Sequence, residues 1–490
     1  MAKVASWAPG RFFGTGSTRV RLVGLSACGL AMEGLLLAFI VLYTNFPSGH
    51  SFIYGISLRA SELSRSLWPY PILEFSPGQF SWWALSVIAG LWVAYGWAYL
   101  LVPKHLAGSA PRGFLVALVI GHAVFSVTLA AALPSVLASD AFTYTIYGRM
   151  VSVYGVNPYT TAGFAVGADI VTPYLRWGNE TSRYGPVWVL VSTLITLLAP
   201  ASAMANVLAF KMSAALFSAM NCLLIYVLAK HLGGSGVRAL ALYAWNPLIL
   251  IETAGSGHNE ALMTTLVLGA ILLAVRNRWY LSSSALALAV SIKYLPATLA
   301  FFLAARVVAA KGSLKSATRL LLTLVGIGMA VICVVYLPFV IAGADCQQLL
   351  SGLNPGMTSL RNPLWIAQAS LVFALTKDGR DVAEAAAAAE AILTAAGQTC
   401  FAVVLLTSAV LAGIRRWSWD RVVGTWGLLA LGYTVLVYGG MYPWYLIPPL
   451  AIAYVVRPSR IRWWLLGSST ALAVVFTLVY GLPLPMRPVS

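Results

Sequence analysis

Long apolar runs alternate with short polar segments along the whole chain. Many of these runs approach 20 residues, which in a helix is enough to cross a hydrocarbon core of about 30 Å. The pattern predicts spans near 22–44, 80–102 and 113–133, and it continues to a last span near 463–483. It indicates the all-α class, a polytopic helical membrane protein of about 13 transmembrane helices, with one integral membrane domain over 1–490.

The composition supports this class and limits the possible partners. Hydrophobic residues make up 60% of the chain and charged residues 9%, whereas a soluble domain is about 25% charged. The net charge is +17, but Lys and Arg concentrate in short loops between apolar runs. That distribution is the positive-inside signature, which favours contact with membrane lipid and argues against nucleic acid as a partner.

The charge bias also orients the predicted spans. A cytoplasmic N-terminus makes 134–185 and 344–384 extracytoplasmic loops that form the candidate catalytic face, and 141–156 suits a short amphipathic helix on the membrane surface. The stretch 184–231 is long enough for two crossings, but the basic residues around its end require an odd number. We therefore interpret 186–200 as re-entrant or interfacial.

On this map four polar or aromatic residues come to the extracytoplasmic face: Asp140, His258, Lys293 and Tyr442. Nucleotide donors are not available there, so a nucleotide-using cytosolic enzyme does not fit. No fixed-period repeat is visible, which argues against a transporter built from inverted repeats. Four of the five cysteines fall in predicted spans, and only Cys346 is expected to be exposed. No disulfide or metal framework is indicated.

Asp140 is the first candidate for chemistry. It follows an apolar run and opens the segment 139–149, in a chain with only 14 acidic residues. A carboxylate at this position can act as a general base for a substrate hydroxyl. It also suits the start of a helix as an N-cap, and the two roles can coexist.

A second candidate is the polar run His258, Asn259 and Glu260, with Glu252 a short distance before it in an apolar segment. Polar residues at the end of a span often act only as caps, but a group of this size also indicates a polar pocket. The spacing is not one that indicates a metal site. No cofactor is expected, and a divalent metal stays open.

Basic and aromatic residues of the same face complete the candidate site. Lys293 suits snorkelling to the interface, but together with Arg149 and Arg183 it also suits binding of a phosphate leaving group. Tyr184, Tyr442 and the aromatic turn 155–159 fit either an interfacial aromatic belt or stacking on sugar rings.

The ordered motifs resemble those of the GT-C superfamily of membrane glycosyltransferases. Over about residues 113–456, they are similar to polyprenol-phosphate-mannose-dependent α-1,6-mannosyltransferases. The motifs are Asp140, Tyr-Gly-Arg-Met at 147–150, Gly-Val-Asn-Pro-Tyr at 155–159, Arg-Tyr-Gly-Pro-Val-Trp at 183–188, Asn-Pro at 246–247, Gly-His-Asn-Glu at 257–260, Lys-Tyr-Leu-Pro at 293–296 and Tyr-Pro-Trp-Tyr at 442–445.

The resemblance implies an inverting transferase with a polyprenyl-phosphate sugar donor and a glycolipid or glycan acceptor. Asp140 then matches the loop aspartate that deprotonates the acceptor, while His258, Asn259 and Lys293 match positions bordering the cavity. Family members often carry Asp where Glu260 stands. The expected location is the inner (cell) membrane of a bacterium, with the site outside. The alternatives are a transporter or flippase of a lipid-linked sugar, and an assembly partner that binds the lipid without turnover.

Overall fold

The computed structural model describes residues 18–46, 50–51, 73–103, 110–132, 137–311, 313–353, 365–437, 442–479 and 484–485. These residues are mostly helical. The α-helices are α1 (Thr18–Thr44), α2 (Pro77–Leu101), α3 (Ala110–Ala132), α4 (Asp140–Ser152), α5 (Pro186–Leu198), α6 (Ala203–His231), α7 (Gly236–Ala244), α8 (Pro247–Leu250), α9 (Glu260–Val275), α10 (Trp279–Val290), α11 (Leu299–Ala310), α12 (Leu314–Ile341), α13 (Cys346–Leu349), α14 (Trp365–Lys377), α15 (Val382–Ile414), α16 (Trp419–Leu436), α17 (Ile447–Val455) and α18 (Arg460–Val479).

Shorter elements connect these helices. A π-helical turn covers Ile251–Gly255. The 3₁₀ turns are Gly163–Val166, Thr172–Tyr174, Leu295–Thr298, Ser351–Leu353 and Pro443–Leu446. One antiparallel pair of two-residue strands joins β1 (His50–Ser51) to β2 (Leu484–Pro485).

The helical membrane fold predicted from the apolar runs is confirmed. Seven of the described helices are long and apolar enough to span a bilayer, namely α1, α2, α6, α12, α15, α18 and the Arg112–Ala131 part of α3. The predicted total of about 13 spans is not reached by this measure, because α5, α10 and several other apolar helices have fewer than 18 residues. That number stays a prediction.

The segment interpreted as re-entrant or interfacial forms α5, which is 13 residues long. At 1.5 Å per residue, it covers about 20 Å, which is less than a hydrocarbon core. It runs beside α4 in the same direction, and Gly148 allows their close approach. A Cβ atom on Gly148 would lie 2.4 Å from the carbonyl oxygen of Ser192, so only glycine fits there. The interfacial placement stays a prediction.

The helix that carries the second polar motif is sharply broken. Pro247–Gly255 and Glu260–Val275 meet at 115°. Gly257 makes the turn with a φ of +78°, a left-handed conformation that glycine adopts without steric cost. The main-chain N–H of His258 donates to the carbonyl oxygen of Glu252 at 3.2 Å. The break therefore brings His258 back beside Glu252, which lies in the π turn.

The aromatic turn 155–159 serves packing. Nδ2 of Asn157 donates to the carbonyl oxygens of Phe339 and Ala342, at 3.0 and 3.2 Å, and so ties the turn to the end of α12. Tyr159 is buried against Phe339, and its hydroxyl donates to the carbonyl oxygen of Tyr184 at 2.6 Å. This turn thus fixes the loop that leads into α5, and the buried ring of Tyr159 is not available for stacking on a sugar.

The main hydrophobic core lies among α1–α3, α6–α11 and α15–α18. Trp245 is buried in it, where its indole N–H donates to the carbonyl oxygen of Leu118 at 3.0 Å and its ring packs edge-on against Phe125. The residues of α7 and α8 are buried in this core, so the broken turn after α8 starts from a packed base.

Candidate active site

Asp140 is the first residue of α4, and Ser139 is at the N-cap position. The side chain of Ser139 makes no capping hydrogen bond, and Asp140 stands one residue beyond the N-cap position that the sequence suggested for it. Its position still suits a negative charge, because free N–H groups and the helix dipole make this end positive. Among the described residues, its one ion pair is with His258, and 13% of its side chain remains exposed.

His258 lies between two carboxylates. Its Nδ1 is 3.3 Å from Oδ2 of Asp140, and its Nε2 is 3.1 Å from Oε2 of Glu252. The side chains of His258 and Glu252 are completely buried. The order Asp140–His258–Glu252 therefore runs from the accessible edge of the site into the interior.

The Tyr442–Tyr445 motif forms one wall of the site. The indole of Trp444 stacks on the imidazole of His258 with centroids 3.9 Å apart. The indole of Trp444 also stacks on the ring of Tyr442, with centroids 4.7 Å apart. Tyr442 is half-buried at the start of a 3₁₀ turn. The sequence-predicted pocket residues His258 and Tyr442 are thus joined through Trp444.

Lys293 and Glu260 form a second ion pair in this region. The ammonium of Lys293 contacts Oε1 of Glu260, which is completely buried, while 20% of the lysine side chain is exposed. The ammonium also lies 4.6 Å from the ring centroid of Tyr445 and 5.9 Å from that of Tyr184. Burial raises the pKa of the Tyr184 phenol well above its ordinary value, so this hydroxyl stays neutral.

We call Asp140, Glu252, His258, Glu260 and Lys293 the charged cluster. His258 and Glu260 are two residues apart around the start of α9, so the ion pairs with Asp140 and Lys293 are neighbours. The ring of Tyr184 lies 5.9 Å from the Lys293 ammonium and packs edge-on against Tyr144, with ring centroids 5.0 Å apart. Five predicted site residues, Asp140, His258, Glu260, Lys293 and Tyr184, therefore share one location.

Two predicted phosphate ligands have other partners. Nε of Arg149 lies 2.8 Å from Oδ2 of Asp169 in a nearly buried pair. The same carboxylate accepts a hydrogen bond from the hydroxyl of Tyr154, which raises the pKa of that phenol. Arg183 pairs with Glu180 at 3.0 Å, and 52% of its side chain is exposed. Neither guanidinium belongs to the charged cluster in this conformation.

Several buried polar atoms of the site have no hydrogen-bond partner among the described residues. They include both side-chain amide atoms of Asn259, Oε2 of Glu260, the hydroxyl oxygens of Ser256 and Tyr144, and the two ring nitrogens of His258, which lie within 3.3 Å of carboxylate oxygens but outside hydrogen-bond geometry. Native structures satisfy most buried polar atoms, and such exceptions are typical of functional sites. Asn259 also makes no capping bond at the start of α9.

The described residues contain no group of three or more His, Cys, Asp or Glu side chains arranged to hold a metal ion. From the sequence, Glu252 was noted beside the polar run and Trp444 within the 442–445 motif, but neither was assigned to the site, and Lys211 was missed. Lys211 is completely buried in α6, where its ammonium donates to the carbonyl oxygen of Leu129 at 3.0 Å and its stem packs under Gly257. Ionisable residues inside apolar segments were the available signal for Glu252 and Lys211.

Known proteins place the chain in a family. The family model described as alpha-(1->6)-mannopyranosyltransferase, N-terminal domain (MptA_B family), matches residues 34–311, which is more than half of the chain. The matched region includes α4, the broken turn and Lys293, and so covers the whole charged cluster.

Two curated relatives are similar over shorter segments. Alpha-(1->6)-mannopyranosyltransferase A of Corynebacterium glutamicum is 31% identical over 32% of this chain and 32% of its own length. The Mycobacterium tuberculosis protein of the same name is 27% identical over 43% of this chain and 39% of its own length. The chain thus matches 32% and 39% of the lengths of these two relatives.

Among solved structures, the Archaeoglobus fulgidus oligosaccharyltransferase in complex with Zn and sulfate gives a TM-score of 0.38, with 16% identity over 74% of this chain and 52% of that chain. The family match does not depend on this structural likeness. The family match confirms the resemblance drawn from the ordered motifs. The chain belongs to the alpha-(1->6)-mannopyranosyltransferase (MptA_B) family.

Proposed function

We propose that the protein transfers mannose from a polyprenyl-phosphate donor to a hydroxyl of a glycolipid or glycan acceptor. The observation that carries the proposal is the geometry of Asp140. Its carboxylate is at the positive end of a helix and is held by one ion pair at the partly open edge of a buried polar site. Family membership supplies the sugar and the reaction class.

The proposed reaction is a single displacement. The acceptor oxygen forms a bond to the anomeric carbon of mannose, and the bond from that carbon to the phosphate oxygen breaks. The electron pair of the broken bond remains on the polyprenyl phosphate, and the hydroxyl proton passes to Asp140. Because the attack comes from the face opposite the leaving group, a β-linked donor gives an α-linked product. A phosphate leaves readily, so no covalent enzyme intermediate is needed.

The leaving phosphate gains negative charge, which a nearby cation stabilises. Lys293 is the proposed ligand, because its ammonium is partly exposed and belongs to the charged cluster. Arg183 is half-exposed and can turn toward a phosphate by leaving Glu180. Arg149 would have to leave a nearly buried pair with Asp169, so its proposed role requires a larger change than that of Arg183.

The other predicted residues are proposed to line the sugar pocket. Tyr442 offers a half-buried ring at the end of an aromatic stack, which suits the apolar face of a sugar. Asn259 and Glu260 have unpartnered polar atoms for sugar hydroxyls. Tyr184 contributes a neutral ring beside Lys293. These contacts favour a carbohydrate over a wholly apolar ligand.

The proposed location is the inner membrane of a bacterium, with the site on the extracytoplasmic face. The long apolar helices and the basic loops support a membrane protein in contact with lipid. The predicted loops 134–185 and 344–384 provide α4 and residues that pack near it. Residues 133–136 and 354–364 lie outside the described residues.

The test is turnover in detergent, where no second compartment exists. Purified protein is given a β-mannosyl phosphoryl polyprenol and a short α-mannoside acceptor, and the products are separated by mass. We expect an α-linked extension of the acceptor and release of polyprenyl phosphate. A protein that binds the donor without turnover would instead be a transporter, a flippase or an assembly partner, and the proposal would be wrong.

A further inference from the structure

We propose that Glu252 acts through His258 as a positioning residue for Asp140. Glu252 holds a proton on Nε2 of the imidazole, so that a protonated ring presents its Nδ1–H to one oxygen of the Asp140 carboxylate. This inference rests on the proposed function, because it concerns the base of the proposed transfer. It adds a residue that contacts neither donor nor acceptor.

The two carboxylates beside the imidazole of His258 determine how many protons this ring needs. A neutral imidazole carries one N–H group and one acceptor nitrogen, whereas the protonated ring carries two N–H groups. His258 has a carboxylate oxygen within 3.3 Å of each nitrogen. A neutral ring would therefore face one carboxylate with a lone pair. Only the protonated ring attracts both Asp140 and Glu252.

The need to pair a buried carboxylate supports the same protonation. Glu252 and His258 have no exposed side-chain surface, and an ionised carboxylate removed from water is costly unless it is paired. A protonated His258, with Nε2 3.1 Å from Oε2 of Glu252, supplies the positive charge for such a pair.

The backbone around the break fixes these side chains. Glu252 is in the π-helical turn Ile251–Gly255, a distortion that occurs frequently at functional sites. Gly257 reverses the chain with its positive φ, and the Trp444 indole covers one face of the imidazole. The orientation of the His258 ring is therefore fixed before any substrate binds.

The consequence concerns the direction of the Asp140 carboxylate. Oδ2 is directed to His258, and no described residue makes a hydrogen bond or ion pair with Oδ1. The second oxygen is then available to an acceptor hydroxyl. Positioning errors of about 1 Å at a reacting group can lower a rate by about 10²-fold. We therefore assign Glu252 an effect on turnover, not on affinity for the donor.

The experiment compares Glu252→Gln with the wild type in the detergent transfer assay. We expect kcat to fall by roughly 10²-fold while KM for the lipid donor changes little, since the amide cannot hold the second proton on His258. Glu33→Gln is the matched control. Glu33 is also a carboxylate in an apolar helix, α1, but its partner is the hydroxyl of Thr128, and we expect wild-type transfer.

A double-mutant cycle separates positioning from a general structural role. In an Asp140→Asn background, which lacks the base, Glu252→Gln should lower the residual rate no further. If the two losses multiply instead, Glu252 acts independently of Asp140 and the inference is overturned. If Glu252→Gln does not fold, the same cycle is run with His258→Gln, and multiplying losses again overturn it.

The proposed function and this inference fail in different ways. Absence of transfer by the wild-type protein overturns the proposed function, and the inference with it. An active wild type together with an unimpaired Glu252→Gln variant overturns the inference alone. A variant with an increased donor KM and an unchanged kcat would place Glu252 in donor binding, and it also contradicts the assignment.

Discussion

The imidazole of His258 stacks on the indole of Trp444, with ring centroids 3.9 Å apart and planes inclined by 20°. The two residues belong to motifs that are far apart in the chain, one in the break before α9 and the other in a 3₁₀ turn before α17. Their contact joins the charged cluster to the aromatic wall of the site. A change in either motif is therefore expected to affect the other.

Removal of the Asp140 carboxylate is expected to abolish most of the transfer activity. In Asp140→Asn the side chain keeps its size, but it cannot accept the hydroxyl proton, so kcat should fall by about 10²–10⁴-fold. Initial rates with saturating donor and acceptor measure this loss.

Asp345→Asn provides the control for Asp140. Asp345 is an exposed carboxylate that caps the short helix α13, and Asn caps helices equally well, so wild-type rates are expected. Transfer by Asp140→Asn at the rate of this control would remove Asp140 from the chemistry.

Lys293→Met is expected to impair both stability and donor binding. It leaves the buried Glu260 carboxylate without its cation, and breaking a buried pair from one side costs about 3–5 kcal/mol. The midpoint of thermal inactivation in detergent should fall. KM for the lipid donor should also rise by roughly tenfold or more, because a charge-assisted contact to the phosphate is lost.

The double variant Lys293→Met/Glu260→Gln distinguishes these two effects. With the buried charge removed, the thermal midpoint should recover toward the wild-type value, while the donor KM stays high. A donor KM that recovers together with the stability would show that Lys293 serves only the ion pair.

The close approach of α4 and α5 predicts that Gly148 tolerates no side chain. In Gly148→Ala the new Cβ would lie 2.4 Å from the Ser192 carbonyl oxygen, so the helices must separate, at a cost of about 1–3 kcal/mol. Both transfer and thermal midpoint should fall. Gly163→Ala is the matched control in the same loop, since its Cβ would have ordinary contacts of 3.4 Å or more. Equal effects of the two variants would contradict the packing argument.

Cys346 offers a test of which face carries the site. It is exposed at the start of α13, whereas Cys333 and Cys400 lie in the long apolar helices α12 and α15, where lipid should shield them. A membrane-impermeant maleimide added to intact cells is expected to label the wild-type protein but not Cys346→Ser. Labelling that requires disrupted cells would place this loop, and the proposed site face, in the cytoplasm.

The sequence determined the class of the protein and most helix positions. Apolar runs near 22–44 and 260–275 coincide with α1 and α9, because a run of that length has few ways to satisfy its backbone in lipid except as a helix. The family was also recognisable from the sequence, because the motifs from Asp140 to Tyr442 follow one another along the chain in the order on which the resemblance rests. From the predicted spans and the charge bias of their loops, the sequence also predicts Asp140, His258, Lys293 and Tyr442 on one face of the membrane.

Only the tertiary structure decided which side chains are partners. Glu252 became a site residue through the π turn and the reversal at Gly257, which direct it to His258, and neither feature follows from periodicity. Arg149 looked like a free cation, but a loop aspartate, Asp169, lies against it. Hydrophobic pattern is set by each residue and its near neighbours, whereas ion pairs depend on long-range packing, and that packing exists only once the whole chain has folded.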